Sequence, residues 1–198
     1  MAITPSTMLD LGTPLPAFRL PDVNGTLVSS AQFQNEPGLL VMFICPHCPF
    51  VRHVRRELAR FCREYQEKGL PIVAINSNDN IAFPDDTPEG MKKEISEVGY
   101  TFPYLIDESQ AVAKAFHAAC TPDLFLFDRD RKLVYRGQFD DSRPSNQIPI
   151  TGSDIQAAAD AVLEGRMPSS SQKPSVGCNI KWMIGNEPEY FAVEMKMR

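Results

Sequence analysis

Gly38-Leu39-Leu40-Val41-Met42-Phe43-Ile44-Cys45-Pro46-His47-Cys48-Pro49 decides how this chain folds. The run from Gly38 to Ile44 is apolar without alternation, as expected of a strand covered by helices on both faces of its sheet. Beyond Pro49, the apolar residues Val51, Val54, Leu58, Phe61 and Tyr65 recur every three or four positions and mark one face of a helix. Pro49 suits the first helical position, where a missing N–H loses nothing, and this makes Cys48 the N-cap. A sulfur at that position faces unpaired backbone N–H groups and the positive end of the helix dipole. Its anion is favoured there, so Cys48 is the candidate nucleophile. Cys45 lies just upstream in the connecting turn, as a candidate second thiol.

The rest of the chain arranges itself around this junction. Ala17-Phe18-Arg19-Leu20 and Thr26-Leu27-Val28 read as an N-terminal hairpin turned through Asp22-Val23-Asn24-Gly25. Gly69 stops the first helix, and Pro71 to Ile75 is the next buried strand, giving a strand–helix–strand unit with parallel pairing. Asn76 to Asn80 reads as a turn at the same sheet edge as Cys48. A second helix is expected from Thr87-Pro88-Glu89 to the residue before Gly99, and a third over roughly 109–118. Phe102 to Ile106 reads as a short strand, and Leu124 to Phe127 with Leu133 to Arg136 as an antiparallel pair. A last helix covers about 153–164 and ends at Gly165. Residues 1–168 are read as one α/β domain, a central mixed sheet flanked by helices. Residues 169–198 are read as a Ser-rich linker and a C-terminal arm carrying Cys178 and Trp182.

Composition narrows the partners. The chain has 198 residues, a net charge of -5 and 43% hydrophobic residues, enough for one well-cored domain and no basic surface for nucleic acid or anionic membrane. The five arginines of the first helix, Arg52, Arg55, Arg56, Arg60 and Arg63, read as a solvated face. No apolar run is long enough to span a bilayer, and the N-terminus lacks the pattern of a signal peptide. The odd number of cysteines, five, argues against a fully paired secreted framework, so a reducing cytoplasm is the expected compartment.

The element order, the cysteine at the strand-to-helix junction and Thr121-Pro122 before a hairpin together resemble the thioredoxin fold. Within it the chain resembles the peroxiredoxin-like branch of the alkyl hydroperoxide reductase and thiol-specific antioxidant group. The motifs that carry the likeness are Phe43 to Val51, Ile75 to Asp79, Pro103 to Gln110, Cys120-Thr121-Pro122-Asp123, Tyr135-Arg136-Gly137 with Asp140-Asp141-Ser142-Arg143, and Gly177-Cys178-Asn179-Ile180-Lys181-Trp182. The resemblance implies a cis bond at Thr121-Pro122, with the Thr121 backbone free to pair with a substrate peptide and Pro122 shaping the groove. It places Cys48 at the attacking cysteine of thioredoxin and Val51 where thioredoxin has its partner cysteine. It implies a thiol-dependent oxidoreductase acting on a protein disulfide or a hydroperoxide, recharged by a thioredoxin or glutathione system, with no cofactor. True peroxiredoxins carry a Pro and a Thr or Ser ahead of the peroxide-attacking cysteine; this chain has Val41 and Cys45 ahead of Cys48, and Gly38 and Met42 ahead of Cys45.

Several residues keep two readings. Cys48 attacks a disulfide or hydroperoxide, or is an inert cap. Cys45 resolves the intermediate, or is a buried strand-end thiol. Cys178, the second resolving candidate after Cys45, is a mobile thiol on the arm, or is packed. Cys120 reads as structural. His47 stabilises the thiolate or moves a proton, or shapes the turn. His53 and His117 read as helix-surface residues, and Arg136 as a cation near the site or a strand-edge residue. A metal site built from Cys45, His47 and Cys48 with Cys120 or Cys178 is the alternative function, together with a non-catalytic interaction module. Covalent haem is excluded because Pro49 follows Cys48. Tyr190, Phe191, Val193 and Met195 on the arm are read as a surface for a homodimer partner or as packing on the domain.

Overall fold

The computed structural model describes residues 3–191. In chain order the elements are β1 (Ile3–Pro5), β2 (Arg19–Pro21), β3 (Leu27–Ser29), β4 (Leu39–Phe43), α1 (Pro49–Glu67), β5 (Ile72–Asn76), α2 (Pro88–Val98), β6 (Tyr104–Ile106), α3 (Ala111–Ala115), β7 (Cys120–Thr121), β8 (Asp123–Phe127), β9 (Leu133–Gly137), α4 (Ser153–Leu163) and β10 (Val176–Asn179). Five strands form the central mixed sheet in the order β6-β5-β4-β8-β9, with β4 parallel to β5 and antiparallel to β8. The hairpin β2–β3 stands apart, and β1, β10 and β7 form a third, antiparallel sheet.

Side-chain alternation on β4 divides the core into two layers. Leu40, Met42 and Ile44 pack with Val51, Val54 and Leu58 of α1, whereas Leu39, Val41 and Phe43 pack with Phe116, Phe125 and Phe127 on the opposite face. Every residue of β4 is buried, which is the condition for an unbroken apolar run. This architecture is the thioredoxin-like α/β fold implied by the sequence, with the nucleophile candidate at the C-terminal end of β4. Among the described residues no helix is long and apolar enough to cross a membrane.

Helix ends follow local chemistry. Thr87 caps α2, its hydroxyl accepting from Gly90 N at 3.3 Å; Pro88 opens the helix and Gly99 closes it at φ +79°. Thr87→Ala is expected to lower stability by about 1 kcal/mol, read as a shift in the urea unfolding midpoint. The third helix is shorter than its periodicity indicates. Gln110 at φ +61° and His117 at φ +51° break it at both ends, and the Asp107 carboxylate accepts from Ala113 N and Ser77 Oγ instead.

The C-terminal arm is strapped to the domain. Gln172 spans to Val134 O and Arg136, Lys173 pairs with Asp141, and β10 lies between β1 and β7. Tyr190 and Phe191 pack against the domain's own core, and the Tyr190 hydroxyl donates to Ala118 O at 3.1 Å, so these two residues are not a free partner surface. Val193 and Met195 lie outside the described residues.

Candidate active site

The end of β4 and the first turn of α1 place Cys48 as the N-cap, with Pro49 in the first turn, as the sequence predicts. The Thr121–Pro122 bond is cis, as the resemblance implies. The Thr121 carbonyl lies 3.1 Å from Cys48 Sγ, and its hydroxyl 3.4 Å from Cys45 Sγ. The Thr121 backbone, however, is not free for a substrate: its pairing partner is Cys178 on β10. From sequence, Cys178 reads as a thiol on an arm that is mobile or packed. The structure fixes it in a strand, because Val176–Asn179 finds hydrogen-bonding edges on both sides.

Three sulfurs therefore meet. The Cys178 and Cys45 thiols both favour the Cys48 anion, and all three residues are almost fully shielded from solvent, at 2%, 0% and 0% exposure. The Cys48 thiol is pulled well below its ordinary range, first by the Cys178 thiol, next by the Cys45 thiol, against the cost of burial. Cys178 and Cys45 are pushed the other way. Cys178 is held protonated first by its hydrogen bond to Cys48, Cys45 first by burial and then by the bond to Cys48 and the nearby Asp86 charge. The surroundings thus disfavour a negative charge on Cys45 or Cys178 and favour one on Cys48. The Thr121 carbonyl is the contact that opposes it, since a thiol donates to that oxygen and an anion cannot. The helix terminus matters less than its position in the sequence implies. Cys48 makes no side-chain capping bond of ordinary length, and the Val51 N–H is among the smaller of the favourable contributions.

His47 is held rather than exposed. Its Nδ1 lies 2.5 Å from Asp86 Oδ2, its backbone N–H donates to Asp86 Oδ1 at 3.2 Å, and its ring stacks on Phe83 with centroids 5.1 Å apart. Asp86 is fixed in turn by Asn78 Nδ2 on its carboxylate and Asn76 Nδ2 on its carbonyl. Sequence reading missed Asp86, which sits in the loop between β5 and α2 with nothing local to distinguish it from Asp85. His47 Nδ1 is also 3.7 Å from Cys45 Sγ. The same nitrogen faces both acid and thiol, so His47 cannot pass a proton between them through opposite ring atoms as a relay histidine does.

Cys45, His47 and Asp86 are the group of metal-donor side chains that converges among the described residues, with ligand atoms within 4.8 Å of one another. An ion held by all three would have to open the 2.5 Å His47–Asp86 contact, and Cys120, proposed as a further ligand, faces Pro122 O at 3.6 Å. Arg136 does not reach the site. Its guanidinium donates to Leu9 O at 2.7 Å and to Gln172 Oε1 at 2.8 Å, because β9 is the far edge of the sheet.

The Redoxin family model matches residues 10–155. A hypothetical protein from Sinorhizobium meliloti 1021 is 54% identical and superposes with a TM-score of 0.90 over 92% of this chain and 100% of its own. A thiol:disulfide interchange protein of the thioredoxin family from Chlorobium tepidum TLS is 18% identical, with a TM-score of 0.60 over 78% of this chain and 98% of its own, a likeness of fold. The thiol-disulfide oxidoreductase ResA of Halalkalibacterium halodurans is 24% identical over 117 residues, which are 59% of this chain; the match spans 62% of that relative's length.

Proposed function

The chain belongs to the Redoxin family, and from that premise we propose that it is a thiol–disulfide oxidoreductase in which the Cys48 thiolate attacks and Cys178 resolves. The observation that carries this reading is geometric: Cys48 caps α1 beside the cis Thr121–Pro122 bond, with the Thr121 carbonyl 3.1 Å from its sulfur and Cys178 paired with Thr121 across the site. Cys48 attacks one sulfur of a disulfide, forms a mixed disulfide and releases a thiolate that takes up a proton. The low basicity of Cys48 then makes it a good leaving sulfur when the protein is recharged by an external dithiol or glutathione.

Two thiols stand ready to resolve the mixed disulfide, and their surroundings rank them. Cys178 has the Lys181 cation and the Phe50 amide favouring its anion, whereas Cys45 faces the Asp86 carboxylate. Cys178 therefore precedes Cys45. Hydroperoxide is the less favoured substrate, because Val41 and Cys45 stand where a peroxide cradle requires Pro and Thr or Ser.

The test is to react reduced protein with one equivalent of disulfide and map every thiol by mass spectrometry. A Cys48–Cys178 bond is the expected product; a product that spares Cys48 would refute the assignment. Cys178→Ala removes the largest stabilisation of the Cys48 anion. Its first attack is expected to slow by about tenfold or more at pH 6 and to recover at pH 9, since each pH unit below a thiol's pKa is worth about tenfold in thiolate. An unchanged profile would show that Cys178 does not support the anion.

A further inference from the structure

We propose, on the footing of the thiol–disulfide reading above, that β10 is a built-in peptide occupant of the substrate edge and confines the enzyme to small disulfides. Thr121, whose carbonyl touches Cys48 Sγ, offers the backbone edge nearest the nucleophile. A disulfide carried on extended polypeptide is aligned by adding a strand to such an edge. Here that position is taken: Cys178 pairs with Thr121 and Asn179 with Cys120. The occupant even presents its cysteine where a substrate's would arrive, with the Cys178 thiol on the Cys48 sulfur.

The fit is specific to this segment. Gly177 lies so close that a Cβ there would stand 2.0 Å from Thr121 O and 2.7 Å from its carbonyl carbon. The strand is also fastened on its other edge and beyond its end. Ile3 and Pro5 of β1 pair with Cys178 and Val176, Ile180 N donates to Ala119 O at 3.0 Å, Lys181 N to Asn78 Oδ1 at 2.8 Å, and Asp79 N to Lys181 O at 2.8 Å. An external peptide meets its edge only in the fraction of molecules in which β10 has lifted, and its apparent affinity falls by that fraction. A small disulfide needs a path to the sulfur and no edge. A small recess lined by Phe50, His53, Pro122, Phe139, Ser142 and Arg143 lies beside the cis-proline.

The reaction balances without a further reagent. Cys48–S⁻ and R–S–S–R give Cys48–S–S–R and RS⁻. Cys178–SH then attacks the Cys48 sulfur, giving Cys48–S–S–Cys178 and the second RS⁻, while the Cys178 proton protonates one of the two released thiolates. The protein loses two electrons and the disulfide gains them.

The experiment uses the reduced full chain under single turnover, followed by acid quench and mass spectrometry of the Cys48 thiol. The probes are bis(2-hydroxyethyl) disulfide and a disulfide joining two short extended peptides, each rate divided by that of free glutathione with the same probe. The normalised rate with the small probe is expected to exceed that with the peptide probe by about tenfold or more, matching a lifted state populated at roughly a tenth or less. Gly177→Val, which unseats β10 and with it the Cys178 thiol, is read at pH 9, where the Cys48 anion no longer depends on that thiol; there it is expected to raise the peptide rate about tenfold while moving the small-probe rate far less. Equal normalised rates in the wild-type protein overturn the proposal, and this ratio decides alone if Gly177→Val does not fold. Cys48→Ser separates the two readings: retention of both reactions in that variant refutes Cys48 as the nucleophile, whatever the ratio.

Discussion

Cys48→Ser is expected to slow disulfide reduction by at least about a thousandfold at pH 7 without disturbing the fold. Serine is a better N-cap than cysteine, so α1 loses nothing at its start. Its hydroxyl does not ionise in this range and cannot attack. The two remaining thiols of the cluster do not substitute, because burial, which does not depend on Cys48, still pushes both Cys45 and Cys178 above the ordinary thiol range. A thiol with a pKa of about 10 or more is ionised to roughly one part in a thousand at pH 7, which sets the residual rate. The wild-type profile supplies the complementary check. With Cys48 anionic throughout, the first attack should stay level from pH 8 to pH 5, where a free thiol loses about tenfold per pH unit. A variant that keeps most of its rate, or a wild-type profile that falls like that of glutathione, would move the nucleophile to Cys45.

Residues that do their work locally were legible before the structure. The apolar run of β4, the period of α1 and Pro49 together place Cys48 at the N-cap, because each signal is set by neighbours in sequence. Thr121–Pro122 was legible through resemblance. What escaped is what long-range pairing decides. Val176–Asn179 has a glycine, no alternation and only four residues, so nothing local marks it as a strand; β1 and β7 make it one. Asp86 is one of two adjacent acids, and only the fold brings it to His47. The surroundings of Cys48 are legible in the sequence only in part. The helix terminus was visible, whereas the larger contribution comes from thiols, one of them 130 positions away in the chain.

Glu94→Gln should stabilise the protein by about 3 kcal/mol at pH 8 and leave it unchanged near pH 4. Glu94 on α2 is 3% exposed, both its carboxylate oxygens lack a hydrogen-bond partner, and the Arg55 guanidinium approaches only to 4.0 Å. Burial pushes its pKa from 4.5 up to about 7; Arg55 and Arg52 pull it back, and the Asp86 and Glu97 charges add to the rise. A group with a folded pKa above its unfolded value stabilises the fold fully below the unfolded pKa, here 4.5, and loses that contribution as pH rises through the folded pKa, here about 7. Above pH 7 the wild-type protein therefore holds a poorly compensated buried carboxylate, and at roughly 1.4 kcal/mol per pH unit the rise corresponds to about 3 kcal/mol. Glutamine keeps the shape and removes the charge, so the two proteins should unfold alike at pH 4 and diverge between pH 5 and 7. Urea midpoints across that range measure the difference. Parallel curves for wild type and Glu94→Gln, with no divergence, would mean that Arg55 closes on Glu94 in solution and that the carboxylate is paired after all.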